Sequence, residues 1–319
     1  MNLRLQLDSA SGHRTRQDRN QEHRTGDAVT RHQSSLRRHM WAAVLVLTTP
    51  FSVAAQSPAV PDAKTGAPQA IAAALLDASI DQKARETLAH EASPRATAVV
   101  EALVAGLPAN DEAEEYRRIP WIWRVAVAAG RANDEAALKP LLDFSMPREN
   151  ERFRDWQAVV LGGGIVMGLS QAGRWPKDAM APWLAEDPVR ARRWSRVLGL
   201  AEAMAEDGKV RNGTRYDALR MLAVLPWEQA GAQLARYLSR DVDAELQMGA
   251  IGGLSDLQDD RAAEALLAHV PHYTERNRGL AIDALLRTER RKAMLKDAIA
   301  RGVVQDAWLS AEQRRRLTS

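Results

Sequence analysis

No cysteine occurs among the 319 residues of the chain. That absence excludes disulfides, thiolate metal sites, a catalytic thiol and a c-type haem held through C-x-x-C-H. Aromatic residues are scarce at 5%, with three Phe and four Tyr. The motifs G-x-S-x-G, S-x-x-K and H-E-x-x-H do not occur, which removes the common signatures of serine hydrolases, acyl-transferring serine–lysine enzymes and zinc proteases. No uninterrupted apolar run reaches the roughly 20 residues that a membrane-spanning helix requires. What is present is 45% hydrophobic residues, mainly Ala, Leu and Val, mixed with many Arg and Glu. This vocabulary favours helices over sheets, and the length allows one or two domains with a substantial core.

The formal charge of +3 is unevenly placed. The first 55 residues hold eight arginines, no lysine, four acidic residues and four of the seven histidines. The remainder carries 36 basic and 37 acidic side chains, so basic character belongs to the leader and a nucleic-acid partner is not expected. Within the leader, "LRRHMWAAVLVLTTPFSVAAQ" (36–56) places Arg37 and Arg38 before an apolar stretch that begins at Trp41 and ends in Val53-Ala54-Ala55. That order of charge, apolar run and small residues reads as a secretory signal; the alternative is an uncleaved membrane anchor. Residues 1–39 form a polar leader without periodicity, or an over-extended start, and 40–55 the apolar part of the signal. Residues 56–69, "QSPAVPDAKTGAPQ", read as a linker. Cleavage leaves no integral membrane span and a periplasmic or secreted protein.

From about Ala70 onward the chain reads as successive helices. "TRYDALRMLAVL" (214–225), "ELQMGAIGGLSDL" (245–257) and "NRGLAIDALLR" (277–287) align on Ala218, Ala250 and Ala281. "LARYL" (234–238), "LLAHV" (266–270) and "LKDAI" (295–299) lie between or after them, with apolar residues at i and i+4. A helix pair recurring about every 30–40 residues is the pattern of an α-solenoid, because one pair cannot cover its own apolar face. The expected fold is therefore all-α, a HEAT-like solenoid of stacked helix pairs, irregular over 70–208 and regular over 209–319 with a terminal helix. Thr214 with Asp217 and Ser310 with Gln313 have the spacing of capping patterns. Pro226, Pro271 and Gly302 mark joints.

"DWQAVVLGGGIVMGLS" (155–170) resembles the glycine fingerprint of a dinucleotide site, but the context does not fit. Only a few residues separate Gly162-Gly163-Gly164 from "QAGRWP" (171–176), and "WLAEDPVRAR" (183–192) does not read as the second strand such a site needs. Gly164 and Gly168, four apart, share one helix face, where a neighbouring helix can approach closely. His269 and His272 have an H-x-x-H spacing interrupted by Pro271, and His90-Glu91 stands alone, so no metal site, cofactor or catalytic residue is expected.

Nine tryptophans are many for such a chain. Trp121, Trp123, Trp156, Trp175, Trp183 and Trp194 cluster in the irregular half, several beside arginine: Trp123-Arg124, Arg174-Trp175 and Arg193-Trp194. Such pairs suit a recognition surface or simply fill space between helices with guanidinium groups stacked on the rings. Together with Arg215, Tyr216 and Asp217, Trp121, Trp123, Arg124, Trp156, Arg174, Trp175, Arg193 and Trp194 are the candidate partner-binding residues. Arg215 with Asp217 also reads as a cap and salt-bridge pair.

"YRRIPWIWRVAVAAG" (116–130), "RDWQAVVLGGGIVMGLSQAGRWP" (154–176), "NGTRYDALRML" (212–222) and "IDALLRTERRKAMLKDAIARGVVQDAWLSAEQRRRL" (282–317) resemble the HEAT-repeat regions of large secreted bacterial proteins. In those proteins the repeats are often joined to a dehydrogenase-like β-propeller and a cytochrome c-like haem module. This chain has neither a propeller ahead of the repeats nor a cysteine to attach haem, so the resemblance implies the scaffold without the redox chemistry. The expectation is an exported, non-catalytic scaffold for protein–protein interaction, whose partner is another protein. The alternatives are an accessory component of a periplasmic haem or quinone dehydrogenase assembly, with a cytochrome or dehydrogenase as partner, and, more remotely, a HEAT-type enzyme acting on nucleic acid.

Overall fold

A computed structural model describes residues 60–108, 111–146, 154–239 and 241–319. The expected leader (1–39) and signal segment (40–55) lie outside the described residues, as does the start of the linker. Every regular element among the described residues is helical. The α-helices are α1 (Pro68–Leu76), α2 (Gln82–Glu91), α3 (Ala96–Val104), α4 (Glu112–Ala132), α5 (Glu135–Ser145), α6 (Asp155–Gln171), α7 (Pro176–Glu186) and α8 (Pro188–Glu206). They continue with α9 (Asn212–Met221), α10 (Trp227–Arg236), α11 (Ala244–Asp256), α12 (Asp260–His269), α13 (Glu275–Leu285), α14 (Glu289–Ala300) and α15 (Ala311–Thr318). No described helix is long and apolar enough to cross a membrane.

The helices stack in two rows. In the first, α2, α4, α6, α9, α11 and α13 each pack on the next. Behind them α1, α3 and α5 form one part of the second row and α10, α12 and α14 another, while α7 and α8 cover the middle. This is a solenoid-like array in which neighbouring pairs close each other's apolar faces. Ala218, Ala250 and Ala281 occupy matched places on α9, α11 and α13 and are fully buried.

The glycine segment is the interior of helix α6, which is buried on nearly every side. A Cβ at Gly164 would lie 2.7 Å from the Ala126 Cβ, and one at Gly168 2.6 Å from the Gly130 Cα. The small residues let α4 and α6 touch backbone to backbone, at a cost of about 1 kcal/mol per glycine in helix propensity. The segment is a packing device. Helix α6 ends before Gly173, whose φ of +74° turns the chain toward Pro176 at the start of α7.

Capping settles many of the boundaries. Asp81, Asp111, Asp134, Asp187, Asp243 and Asp259 each accept a backbone N–H at a helix start, satisfying donors the helix itself leaves free. Ser310 and Gln313 form the expected reciprocal capping box. Thr214 and Asp217 do not cap. Helix α9 starts two residues before Thr214, with Arg211 as its N-cap and no side-chain bond, so both residues are interior and buried.

Helix C-termini are held by arginines from later elements. Arg118 donates to the Leu103 and Ala105 carbonyls at 2.7 and 2.9 Å. Arg193 donates to Asp143 and Met146 at the end of α5, and Arg215 to Ala205 at the end of α8. Arg291 donates to Ser255 in the last turn of α11 and to Leu257 just after it; its burial lowers its pKa to about 10, with Arg287 adding to the effect. A guanidinium matches the partial negative charge at a helix C-terminus. The same device anchors the chain before α1: Arg95 donates to the carbonyls of Lys64 and Gly66, so the later part of the expected linker is tied to the helices.

Candidate functional site

The first row of helices carries three adjoining clefts. One, of about 540 Å³, lies between α2 and α4. It shares Trp123 and Arg124 with a middle cleft of about 370 Å³ between α4, α6, α9 and α11. The middle cleft shares Met167, Tyr216, Met248 and Arg276 with a third of about 490 Å³ that reaches α13. Together they form a groove along the row.

The middle cleft has the most distinctive chemistry. Its walls are Tyr116, Trp123, Met167, Tyr216 and Met248, and Asp217 lines it. The early start of α9 puts Asp217 in the second turn, pressed against α6: a Cβ at Gly163 would lie 2.6 Å from the Asp217 Cβ. Only 4% of Asp217 is exposed. Its Oδ1 and the Trp123 Nε1 are both buried without a hydrogen-bond partner.

Burial pushes the Asp217 pKa well above the usual 3.8; Trp123 and Arg220 pull it back in part, and the Glu245 carboxylate adds to the rise. Trp123 therefore stands near enough to act on the carboxyl, yet no bond of normal geometry closes between them. Arg220 is committed elsewhere, donating to Asp256 at 2.8 Å. Tyr216 donates weakly to the Met167 sulfur at 3.5 Å, and burial raises its own pKa.

This acid makes the stability pH-dependent with a definite sign. Because the folded state disfavours ionisation of Asp217, its contribution to stability is greatest below pH 3.8 and declines as the pH rises toward its folded-state pKa. Asp217→Asn removes the decline. In denaturant titrations, the stability of the variant relative to the parent is expected to grow by about 1.4 kcal/mol per pH unit from about pH 4, then level off. A difference that does not change with pH would show that the carboxyl is not held neutral.

The sequence-based site residues do not all come together. Trp123, Arg124, Tyr216 and Asp217 meet in the middle cleft. Trp121 and Trp194 are interior. Trp121 lies beneath Arg85 and Arg124, with ring-centre distances of 4.9 and 5.1 Å, and the Trp194 ring lies against Gly162. Trp156 is half-buried against the core. Trp175 is covered by Arg287 at 4.0 Å and by Arg291, while exposed Arg174 offers its backbone carbonyl to Arg287.

Arg193 and Arg215 clamp helix ends. Arg215 also meets the Tyr237 hydroxyl at 3.4 Å and makes no ion pair with Asp217. The cation stacked on a ring is not always its neighbour in sequence: Arg124 lies over Trp121, and Arg287 and Arg291 lie over Trp175, while Trp123 and Arg124 share the cleft.

Tyr116, Met167, Met248, Glu245 and Arg276 also line the cleft and are not among the sequence-based candidates. The repeat alignment contained a signal for three of them. Counting back from the matched alanines, Tyr216 corresponds to Met248, and Gly213, Glu245 and Arg276 correspond to one another; all of these line the cleft. Away from the groove, the His269 ring nitrogen meets the Ala265 carbonyl at 2.9 Å.

The chain matches no family model, no curated protein and no solved structure.

Proposed function

We propose that this protein is an exported, non-catalytic scaffold of HEAT-like repeats that binds another protein along the groove from α2 to α13. The observation that carries this reading is the middle cleft. Rigid aromatic rings and two adaptable methionines form its walls, the side-chain types that dominate protein contacts. Tyr116 stands 48% exposed at the edge. Glu245 and Arg276 are exposed beside it and form no ion pair among the described residues. Export rests on the arginine pair and apolar run of residues 36–56. The near-balanced charge of the remaining chain favours a protein partner over nucleic acid. A periplasmic cytochrome or dehydrogenase is the partner class that the family resemblance suggests.

Affinity capture from an envelope extract tests the reading, using the full chain with a C-terminal tag beside its Met248→Glu variant. The expected result is a discrete partner held by the parent and reduced at least about tenfold by the variant, because a charge in an apolar contact loses more than about 1.4 kcal/mol. Haem absorbance in the eluate identifies a redox accessory role. A partner held equally by both proteins contradicts the groove as the interface, and no partner on the parent contradicts the scaffold.

A further inference from the structure

We propose that the middle cleft receives a basic side chain of the bound partner, an arginine or a lysine, with Asp217 and Glu245 as its counter-charges. This inference rests on the protein-binding reading above and names the chemistry at its centre. The first observation is an incomplete interaction. Asp217 is a nearly buried carboxyl that lines the cleft and makes no ion pair among the described residues; the only donor acting on it is the neutral indole N–H of Trp123, and no bond of normal geometry closes at its Oδ1. Such a group is costly unless something supplies the missing partner.

The charges facing it indicate the sign of that partner. From α4, Arg124 reaches the cleft but pairs with Glu86 at 3.6 Å. From α6 come Gly163 and Met167, which carry no charge. On α9, Arg220 is paired with Asp256, and Arg211 at the N-cap is paired with Glu112 at 3.0 Å and lies over the Tyr116 ring at 3.7 Å. Helix α11 contributes Glu245, an unpaired carboxylate that acts on Asp217. From α13, exposed Arg276 lies at the rim and exerts no resolved effect on the acid. Two carboxyls without a cationic partner among the described residues thus line the same cleft, while the nearby arginines of α4 and α9 are already engaged.

The walls suit the same occupant. Tyr116, Trp123 and Tyr216 offer ring faces to a cation, and the methionine sulfurs are polarisable. A planar guanidinium can stack on the rings while donating to both carboxyls. Entry of the cation favours the ionised form of Asp217, so binding displaces a proton and strengthens as the pH rises toward the pKa of the free site. Exposed Arg276 is then placed to meet an acidic residue flanking the inserted side chain.

The test is a calorimetric titration of the full chain with the capped tripeptide glycyl-arginyl-glycine, its lysine counterpart and its citrulline counterpart, which keeps the shape of arginine without the charge. The expected result is saturable binding of the arginine or lysine peptide with Kd of about 1 mM or tighter. Citrulline should bind about tenfold more weakly, and Asp217→Asn should weaken the cationic peptide about tenfold while the variant stays folded. Glu245→Gln should weaken it by a smaller factor, and affinity should rise up to about tenfold per pH unit below the free-site pKa.

Equal binding of citrulline overturns the proposal in favour of a neutral hydrogen-bonding ligand. Unchanged affinity in Asp217→Asn, or no saturation by about 10 mM peptide, also overturns it. If these fail while partner capture remains sensitive to Met248→Glu, the basic side chain is refuted and the scaffold stands; if both fail, both readings fall.

Discussion

Asp256→Ala is expected to destabilise the protein by about 3–5 kcal/mol. The Asp256 side chain is fully buried at the end of α11. It accepts from Ser170 of α6 at 2.6 Å, from Arg220 of α9 at 2.8 Å, and from Arg287 just after α13. One carboxylate therefore ties together four successive members of the first row. Its removal leaves Arg220, 7% exposed, as a buried cation without a counter-charge, which is the expensive way to break an ion pair. Asp256→Asn keeps the shape and some of the hydrogen bonds, so its loss is smaller. Denaturant unfolding measures both, and the effect should persist in high salt because the pair is shielded from solvent. A loss below about 1 kcal/mol for the alanine variant would show that the network adds little to stability.

Gly168→Ala is expected to destabilise by about 2–3 kcal/mol even though alanine is the better helix former by about 1 kcal/mol. The added methyl would meet the Val127 carbonyl oxygen, the Gly130 Cα at 2.6 Å and the Arg131 nitrogen at 2.7 Å. All are backbone atoms of α4, so no side chain can swing aside and the two helices must separate. Gly130→Ala presses on the same seam from the other side, 2.7 Å from the Ile165 carbonyl oxygen, and should behave alike. Gly199 in α8 has open space where its Cβ would stand, so Gly199→Ala should stabilise by about 0.5–1 kcal/mol. Thermal unfolding of the three variants separates close packing from helix propensity. Equal stabilisation by all three would contradict the tight α4–α6 contact.

The parts legible in the sequence were those governed by local periodicity. The spacing of Ala218, Ala250 and Ala281 located α9, α11 and α13, and the four-residue step from Gly164 to Gly168 identified the helix face that meets α4. The Asp187-Pro188 junction was harder to read. It ends α7 and, through the Asp187 side chain, starts α8, but on paper its mixed residues matched no single period. Thr214 and Asp217 had the spacing of a cap, and tertiary packing against Gly163 of α6 drew Asp217 inside instead.

The arginines were misleading for a different reason. Adjacency suggested Trp-Arg units, whereas the guanidinium groups over Trp175 come from Arg287 and Arg291, more than a hundred residues later. Such long-range partners leave no trace in spacing. Of the candidate binding residues, Trp123, Arg124, Tyr216 and Asp217 converge because α4 and α9 both pack on α6, a contact that only the fold reveals.

Site-directed photocross-linking tests the groove as the interface most directly. A photoreactive phenylalanine analogue replaces exposed Tyr116 at the middle cleft, and in a second variant replaces exposed Val303, which lies beside α14 and lines a cleft of the second row. With the groove as the interface, one discrete adduct to another protein is expected in irradiated cells from position 116 and none from position 303. The same adduct from both positions, or adducts from position 303 alone, would contradict it.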